Sequence, residues 1–301
     1  MFQQATKQQS KLRMTLDGPA GSGKTFTGLR FAHALTNAYG GRIALIDTER
    51  GSASKYVGES PDGISWAFDV LNLAVFSPEK YTEAINAAGR LGYTVLVIDS
   101  LSHAWEGQGG ALEMKQRAGE SWSAWRNVTP IHNRMVDAIL QSPCHVITTM
   151  RSRMEYVQET DDRGRITIRK VGLSPIQRPG MEYEFDLVCD IDWAHILTVS
   201  KSRCSAVADV KTEKPGAEFM RPVIEWLSSG AVETPVITEH VMTGVEASEP
   251  TALSNERETP KITLDDLLVA FDAEAIIVAN EGKIPGTDEE VLAVAQKLGV
   301  A

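Results

Sequence analysis

Four short, mostly apolar runs punctuate the first half of the chain: Leu12–Leu16, Arg42–Ile46, Thr94–Ile98 and His145–Thr149. Runs of this length and character read as strands buried on both faces. The stretches between them follow a helical period. Thr25–Ala38 sets Leu29, Ala32, Leu35 and Ala38 on one face, and Pro78–Leu91 and Trp122–Gln141 are the next two predicted helices. Strands alternating with helices predict an α/β fold, a mostly parallel central sheet flanked by helices.

The pattern changes after Met150. Glu155–Glu159 and Arg165–Lys170 alternate polar and apolar around Asp161-Asp162-Arg163-Gly164, which predicts a β-hairpin extension. Phe185–Asp192 and His195–Ser200 read as a second strand pair across Trp193-Ala194, and Phe219–Leu227 as a closing helix stopped by Gly230. Residues 231–260 are rich in Pro, Thr, Ser and Glu without periodicity and read as a flexible linker. Leu264–Ala279, opened by Thr263 as N-cap, and Glu289–Leu298 are two short amphipathic helices. The expected domains are therefore 1–230, a linker 231–260, and a small acidic helical segment 261–301.

Charge sharpens that division. The net charge is −10, and residues 231–301 hold 14 acidic and 4 basic side chains, so the first 230 residues are neutral. The acidic balance therefore leaves a nucleic-acid partner open for the front domain. No apolar run approaches the roughly 20 residues of a membrane span, and the polar start of the chain does not read as a secretory signal. Cys144, Cys189 and Cys204 fit no zinc spacing or disulfide framework. Reduced thiols in a cytoplasmic compartment are expected.

Gly18-Pro19-Ala20-Gly21-Ser22-Gly23-Lys24-Thr25 matches GxxxxGK[ST] between a predicted strand and a predicted helix. Glycines let backbone N–H groups turn toward an anion, and the helix N-terminus adds positive field there. Lys24 should reach the β- and γ-phosphates and Thr25 should ligate Mg²⁺. Thr94–Asp99 is a buried strand ending in a carboxylate, the form of a Walker B strand, so Asp99 is the second candidate for the metal. Hydrolysis needs a further carboxylate to polarise water. Ser100 fills the position after Asp99, which turns attention to Ile46-Asp47-Thr48-Glu49. Strand ends gather at the ligand edge of a parallel sheet, so Glu49 is the candidate base and Asp47 reads as structural.

These features resemble the RecA-like ATPases: a P-loop, a glutamate in an Ile-Asp-x-Glu setting at the end of the next strand, and a Walker B aspartate. The resemblance implies ATP as the nucleotide. His145–Arg153 resembles the strand whose tip senses the γ-phosphate, with Thr148 and Thr149 where bacterial recombinases carry glutamine. Thr149 is the nucleotide-side candidate. Lys201-Ser202-Arg203 resembles the basic pair that such proteins offer to a neighbour's nucleotide, which implies a homo-oligomer. Closer still are phage-encoded RecA-like ATPases labelled phage nucleotide-binding proteins or AAA-family ATPases, some of which act as single-strand annealing proteins. The matching features are Ile98–Trp105, Gln177–Gly180 before Tyr183–Asp186, and Ile224–Leu227. The resemblance covers residues 10–230. No long polymerisation segment is evident at the N-terminus.

Arg151, Arg153, Arg163, Arg165, Arg169, Lys170 and Arg178 follow the sensor strand, where RecA-like proteins place a DNA-binding loop. On a hairpin they can neutralise phosphates, and Tyr156 can stack on a base. The alternative is a solvated hairpin paired with Glu155, Glu159, Asp161 and Asp162, and Arg151 can instead serve the nucleotide. His103, Trp105, Trp122 and Trp125 fall near the predicted active edge, where the tryptophans read as core or interface. His33, His132, His145, His195 and His240 form no ligand spacing and receive no role. The expected function is an ATPase acting on single-stranded DNA in phage recombination, annealing or replication, with a single-strand-binding or replication protein as a further partner. A nucleotide-controlled adaptor or loader and a P-loop small-molecule kinase are the alternatives.

Overall fold

A computed structural model describes residues 4–59, 65–119, 121–160, 166–231 and 283–298, with 276, 279 and 280. The chain begins its ordered course with β1 (Arg13–Gly18), α1 (Lys24–Tyr39) and β2 (Ile43–Asp47). A two-stranded ribbon, β3 (Gly58–Glu59) and β4 (Ser65–Trp66), precedes β5 (Asp69–Asn72), α2 (Pro78–Arg90) and β6 (Val95–Asp99). Two short helices, α3 (His103–Glu106) and α4 (Ala111–Ala118), lead to α5 (Trp125–Gln141). Then come β7 (His145–Thr160), β8 (Ile166–Pro175), β9 (Leu187–Ile191), β10 (Ile196–Ser202), β11 (Lys211–Glu213) and α6 (Ala217–Ser228). Near the end lies α7 (Asp288–Lys297).

One sheet organises these elements in the order β11-β10-β9-β1-β7-β6-β2-β5, with β8 paired to β7. From β9 to β5 every pairing is parallel, whereas β10 and β11 run antiparallel. The period-2 alternation of the buried strands supplies two apolar faces. Leu12, Met14, Leu16, Val95, Val97 and Ile147 face one cluster with α1 and α6, where Phe31 stacks on Phe219. Leu96, Ile98 and Val146 face the other, shared with α2 and α5. Ile276 and the apolar side of α7 (Val291, Val294, Ala295) join this second cluster. The result is the expected α/β architecture of a mostly parallel sheet between helical layers.

Several boundaries differ from the sequence expectation. The run His145–Thr149 is only the buried half of β7, which continues through Met150 to Thr160 as one arm of the β7–β8 hairpin. The change in pattern at Met150 marks the strand leaving the core, because alternation returns where one face loses its cover. The predicted helix Trp122–Gln141 begins as a 3-10 turn at Trp122–Ala124 before α5. Strand β5, Asp-Val-Leu-Asn at the sheet edge with its outer positions exposed, gave too short an apolar signal to be foreseen. The linker 231–260 lies outside the described residues apart from Ala231, and the helix Leu264–Ala279 does so apart from residues 276 and 279.

Candidate functional site

The phosphate loop is built where β1 ends. A Cβ on Gly18 would stand 2.3 Å from the Ile191 carbonyl oxygen and 2.8 Å from Ser22 Oγ, so only glycine fits against β9. Gly21 and Gly23 take φ values of 78° and 94°, which L side chains rarely adopt. The helix that follows has no side-chain cap. Its first-turn N–H groups therefore remain available to an anion at the positive end of the helix. Lys24 Nζ donates to the carbonyls of Gly18 (2.9 Å) and Pro19 (2.8 Å), which holds the ammonium at the mouth of the loop. Burial lowers its pKa, while Asp99 and Glu49 counteract that.

Three strand tips meet Lys24 here, because parallel strands deliver their carboxyl ends to one edge. Asp99, buried at the end of β6, accepts from the Thr25 hydroxyl (Oδ2, 2.6 Å) and from the Thr149 hydroxyl at its other oxygen. Burial raises the Asp99 pKa, the two hydroxyls oppose that, and Glu49 and Asp47 add to it. Asp47 accepts from the backbone N–H groups of Glu49 (2.6 Å) and Ala53 (3.0 Å) and so shapes the turn after β2. That turn presents Glu49, whose Oε1 takes two hydrogen bonds from Arg151, at 3.0 Å from Nε and 2.8 Å from Nη2. A cleft of about 820 Å³ runs over Gly21, Lys24 and Thr25 to Glu49, Asp99 and Arg151. Tyr56 also lines it, edge-on to Phe26.

The residues fit a magnesium nucleotide. Ser22 Oγ is buried without a partner, an orphan polar group inside a loop of glycines. Thr25 and Asp99, both hard oxygen donors, lie within hydrogen-bond distance of each other. The Asp99 carboxyl is buried beside Glu49 and Asp47, which disfavours its charged form, and a bound cation relieves that setting.

Of the sequence candidates, the structure brings together Gly18, Pro19, Ala20, Gly21, Ser22, Gly23, Lys24, Thr25, Glu49, Asp99, Thr149 and Arg151. Arg153 is exposed just beyond. Arg178 is elsewhere: its guanidinium binds Asn133 Oδ1 (2.6 Å) on α5 and lines a separate cleft. Arg163 and Arg165 lie outside the described residues, as do the side chains of Arg169 and Lys170. Lys201 and Arg203 stand at the opposite end of the sheet. Lys201 pairs with Val188 and Ser202 with Leu187, level with Met14 near the start of β1. Lys201 donates to the carbonyls of Glu182, Tyr183 and Phe185, and Arg203 pairs with Asp186. Within one chain neither reaches the phosphate loop.

Other residues had been given no role from the sequence. His195, given no role above, is seated on the loop, with Nδ1 2.9 Å from the Ser22 carbonyl oxygen. His103 Nδ1 meets the Thr48 hydroxyl at 2.6 Å, and Thr48 Oγ1 accepts from the Ser100 N–H at 2.8 Å. Asp17 lies buried directly behind Gly18, with its carboxyl pushed up to about 8 by burial, against the Thr15 hydrogen bond, and further by Asp190.

A family model described as an AAA domain matches residues 10–214, more than half of the chain. The chain belongs to this AAA domain family. The P-loop, the Asp99 strand and the β7 tip of this AAA protein all fall inside the match. No curated protein matches the chain. Among solved structures, a KaiC-like protein from the hyperthermophilic archaeon Pyrococcus horikoshii is similar at 15% identity and a TM-score of 0.40, over 66% of this chain and 82% of that one. No helix among the described residues is long and apolar enough to cross a membrane.

Proposed function

We propose that this AAA protein is a RecA-like ATPase that hydrolyses ATP with Mg²⁺ and works as a homo-oligomer on single-stranded DNA, in phage recombination, annealing or replication within a host cytoplasm. The observation that carries the hydrolytic part is the meeting of Lys24, Thr25, Glu49 and Asp99 at one cleft, with buried Thr149 bonded to Asp99. Magnesium, when bound, neutralises charge on the β- and γ-phosphates. Lys24 and the first-turn N–H groups of α1 orient those phosphates. Thr25 and Asp99 are the oxygen donors that would hold the metal. Glu49 accepts the proton of the attacking water, which requires its oxygens to be free of Arg151. The exposed ring of Tyr56 offers the base an aromatic face beside Phe26.

The DNA part draws its support from position. The β7–β8 hairpin grows out of the same strand that carries Thr149 and Arg151, and Arg153, Arg169 and Lys170 belong to its two strands. Cations so placed neutralise backbone phosphates and tie strand binding to the nucleotide. Lys201 and Arg203 reach a nucleotide only on an adjacent subunit, docked against the amino edge of the sheet.

The test is steady-state ATP hydrolysis with and without single-stranded DNA, with Lys24→Ala as the control. Stimulation by DNA that vanishes in Lys24→Ala supports the whole reading. Turnover and oligomer size indifferent to DNA overturn the DNA part and favour a nucleotide-controlled adaptor.

A further inference from the structure

A second cleft, of about 650 Å³, adjoins the nucleotide cleft. Two residues line both: Glu49 and Arg151. Their ion pair is therefore the common wall. Beyond the wall stand Arg50, exposed on a left-handed backbone with φ 56°, His103 and Gln108. The His103 ring is stacked on Phe76 at 4.8 Å between centroids. Among the described residues Glu49 is the one carboxylate on the lining, and Arg151 already occupies it. The rest of the polar lining is rich in donors and positive, which suits an oxyanion.

The Arg151 backbone is pinned on both sides. Its N–H donates to Ser102 Oγ at 2.9 Å, and its carbonyl accepts from Ile176 N–H at 2.7 Å. Only the side chain is free to change partner. The Glu49–Arg151 pair is partly exposed, with side-chain accessibilities of 32% and 43%. Pairs that wet are worth about 1 kcal/mol or less, so a phosphate that carries more charge can win the guanidinium. While Arg151 holds Glu49, the carboxylate is a poor proton acceptor for water. Once released, it is a competent one.

We propose that the second cleft binds a phosphate group, and that its occupant draws Arg151 off Glu49 and so switches hydrolysis on. The proposal rests on the reading of Glu49 as the base. The phosphate has two sources with the same chemistry, a nucleic-acid backbone or a small phosphate ester. Thr48 links the second cleft to the metal strand, because its hydroxyl touches His103 and the Ser100 backbone next to Asp99.

The experiment measures ADP formation by the full chain with oligothymidylate or glycerol phosphate as the probe. One probe is expected to raise wild-type turnover about tenfold, a barrier change of about 1.4 kcal/mol. Stimulation by oligothymidylate alone assigns the backbone source, and stimulation by glycerol phosphate as well assigns the free ester. Arg151→Ala should show the raised rate without any probe and respond to neither. Arg151→Lys keeps the charge, loses the two-pronged bond, and should fall between the two. Arg50→Ala should need severalfold more probe for half of the effect. The proposal is overturned if neither probe stimulates the wild type, if Arg151→Ala is still stimulated, or if its basal rate drops to that of Glu49→Gln. A Glu49→Gln variant as active as wild type instead overturns the reading of Glu49 itself. Circular dichroism melts of each variant separate loss of fold from loss of function.

Discussion

At the carboxyl edge of the sheet, Lys24 rests on two loop carbonyls, Arg151 on one partly exposed carboxylate, and Asp99 on two hydroxyls. At the amino edge, Lys201 rests on three carbonyls, Arg203 on Asp186, and Arg13 on the carbonyls of Leu12, Leu140, Ser142 and Cys144. The residue types are alike, but their partners differ. The amino-edge acceptors are mostly main-chain groups fixed by turns and by the end of α5, and an acceptor that cannot leave ties its cation to its own chain. The carboxyl-edge partners are side chains and a glycine-rich loop, all able to trade a bond for a phosphate or a metal. Charge alone therefore does not mark a functional edge. The exchangeability of the partner does.

That contrast predicts its largest effect on activity. Lys24→Ala should cut ATP turnover by at least about 10²-fold, the scale for losing a group aimed at transition-state charge, while its urea midpoint stays near wild type. Glu49→Gln should lose a comparable factor, about 10²-fold for a general base, and still bind a fluorescent ATP analogue. A large loss of stability in either variant would mean that the carboxyl edge is structural too.

On the other edge the prediction reverses. Arg13→Met removes a buried guanidinium that holds the Leu140 carbonyl at the end of α5 and the Ser142 and Cys144 carbonyls just after it, and leaves those acceptors unpaired. Losing hydrogen bonds to a charged group should cost about 3 kcal/mol of unfolding free energy, read by urea denaturation. Whatever folds should turn over ATP at the wild-type rate.

Legibility in the sequence follows the same division. The phosphate loop, Glu49 and Asp99 are readable because each depends on one strand, one turn and a short spacing. The four buried strands are readable because cover on both faces leaves a run of apolar residues. The Glu49–Arg151 pair joins residues 102 positions apart, and His195 reaches Ser22 across 173, so no local pattern announces either. Lys201 and Arg203 sit in a recognisable motif, but their edge depends on β10 running antiparallel, which adjacency in sequence does not specify. Asp17 hid as one polar letter inside a strand, and only its burial makes it unusual.

Asp17 offers a test that needs no ligand. Its folded pKa of about 8 stands above the unfolded value of about 3.9. Between those values the native state holds a proton that the unfolded chain has released, so stability falls as pH rises through that window and levels off above about 8. Asp17→Asn keeps an acceptor for the Thr15 hydroxyl, 2.8 Å away, and removes the titration. Relative to wild type, the variant should gain stability steadily from pH 5 to pH 8 in urea titrations. A constant difference across that range would show that Asp17 is ionised in the fold.

The smallest effect expected is at Lys201. Lys201→Met strips three carbonyls of the Glu182–Phe185 turn of their common donor, but water reaches that turn and replaces part of the loss. A cost of about 1 kcal/mol is expected, seen as a modest drop in the urea midpoint. The same variant decides whether the amino edge has a second use. If Lys201 also serves a neighbour's nucleotide, turnover should be wild-type in dilute, monomeric protein and fall below wild type only at concentrations where oligomers form. A deficit that ignores concentration would tie Lys201 to its own chain. Wild-type turnover at every concentration would leave the residue purely structural, and the contrast between the two edges complete.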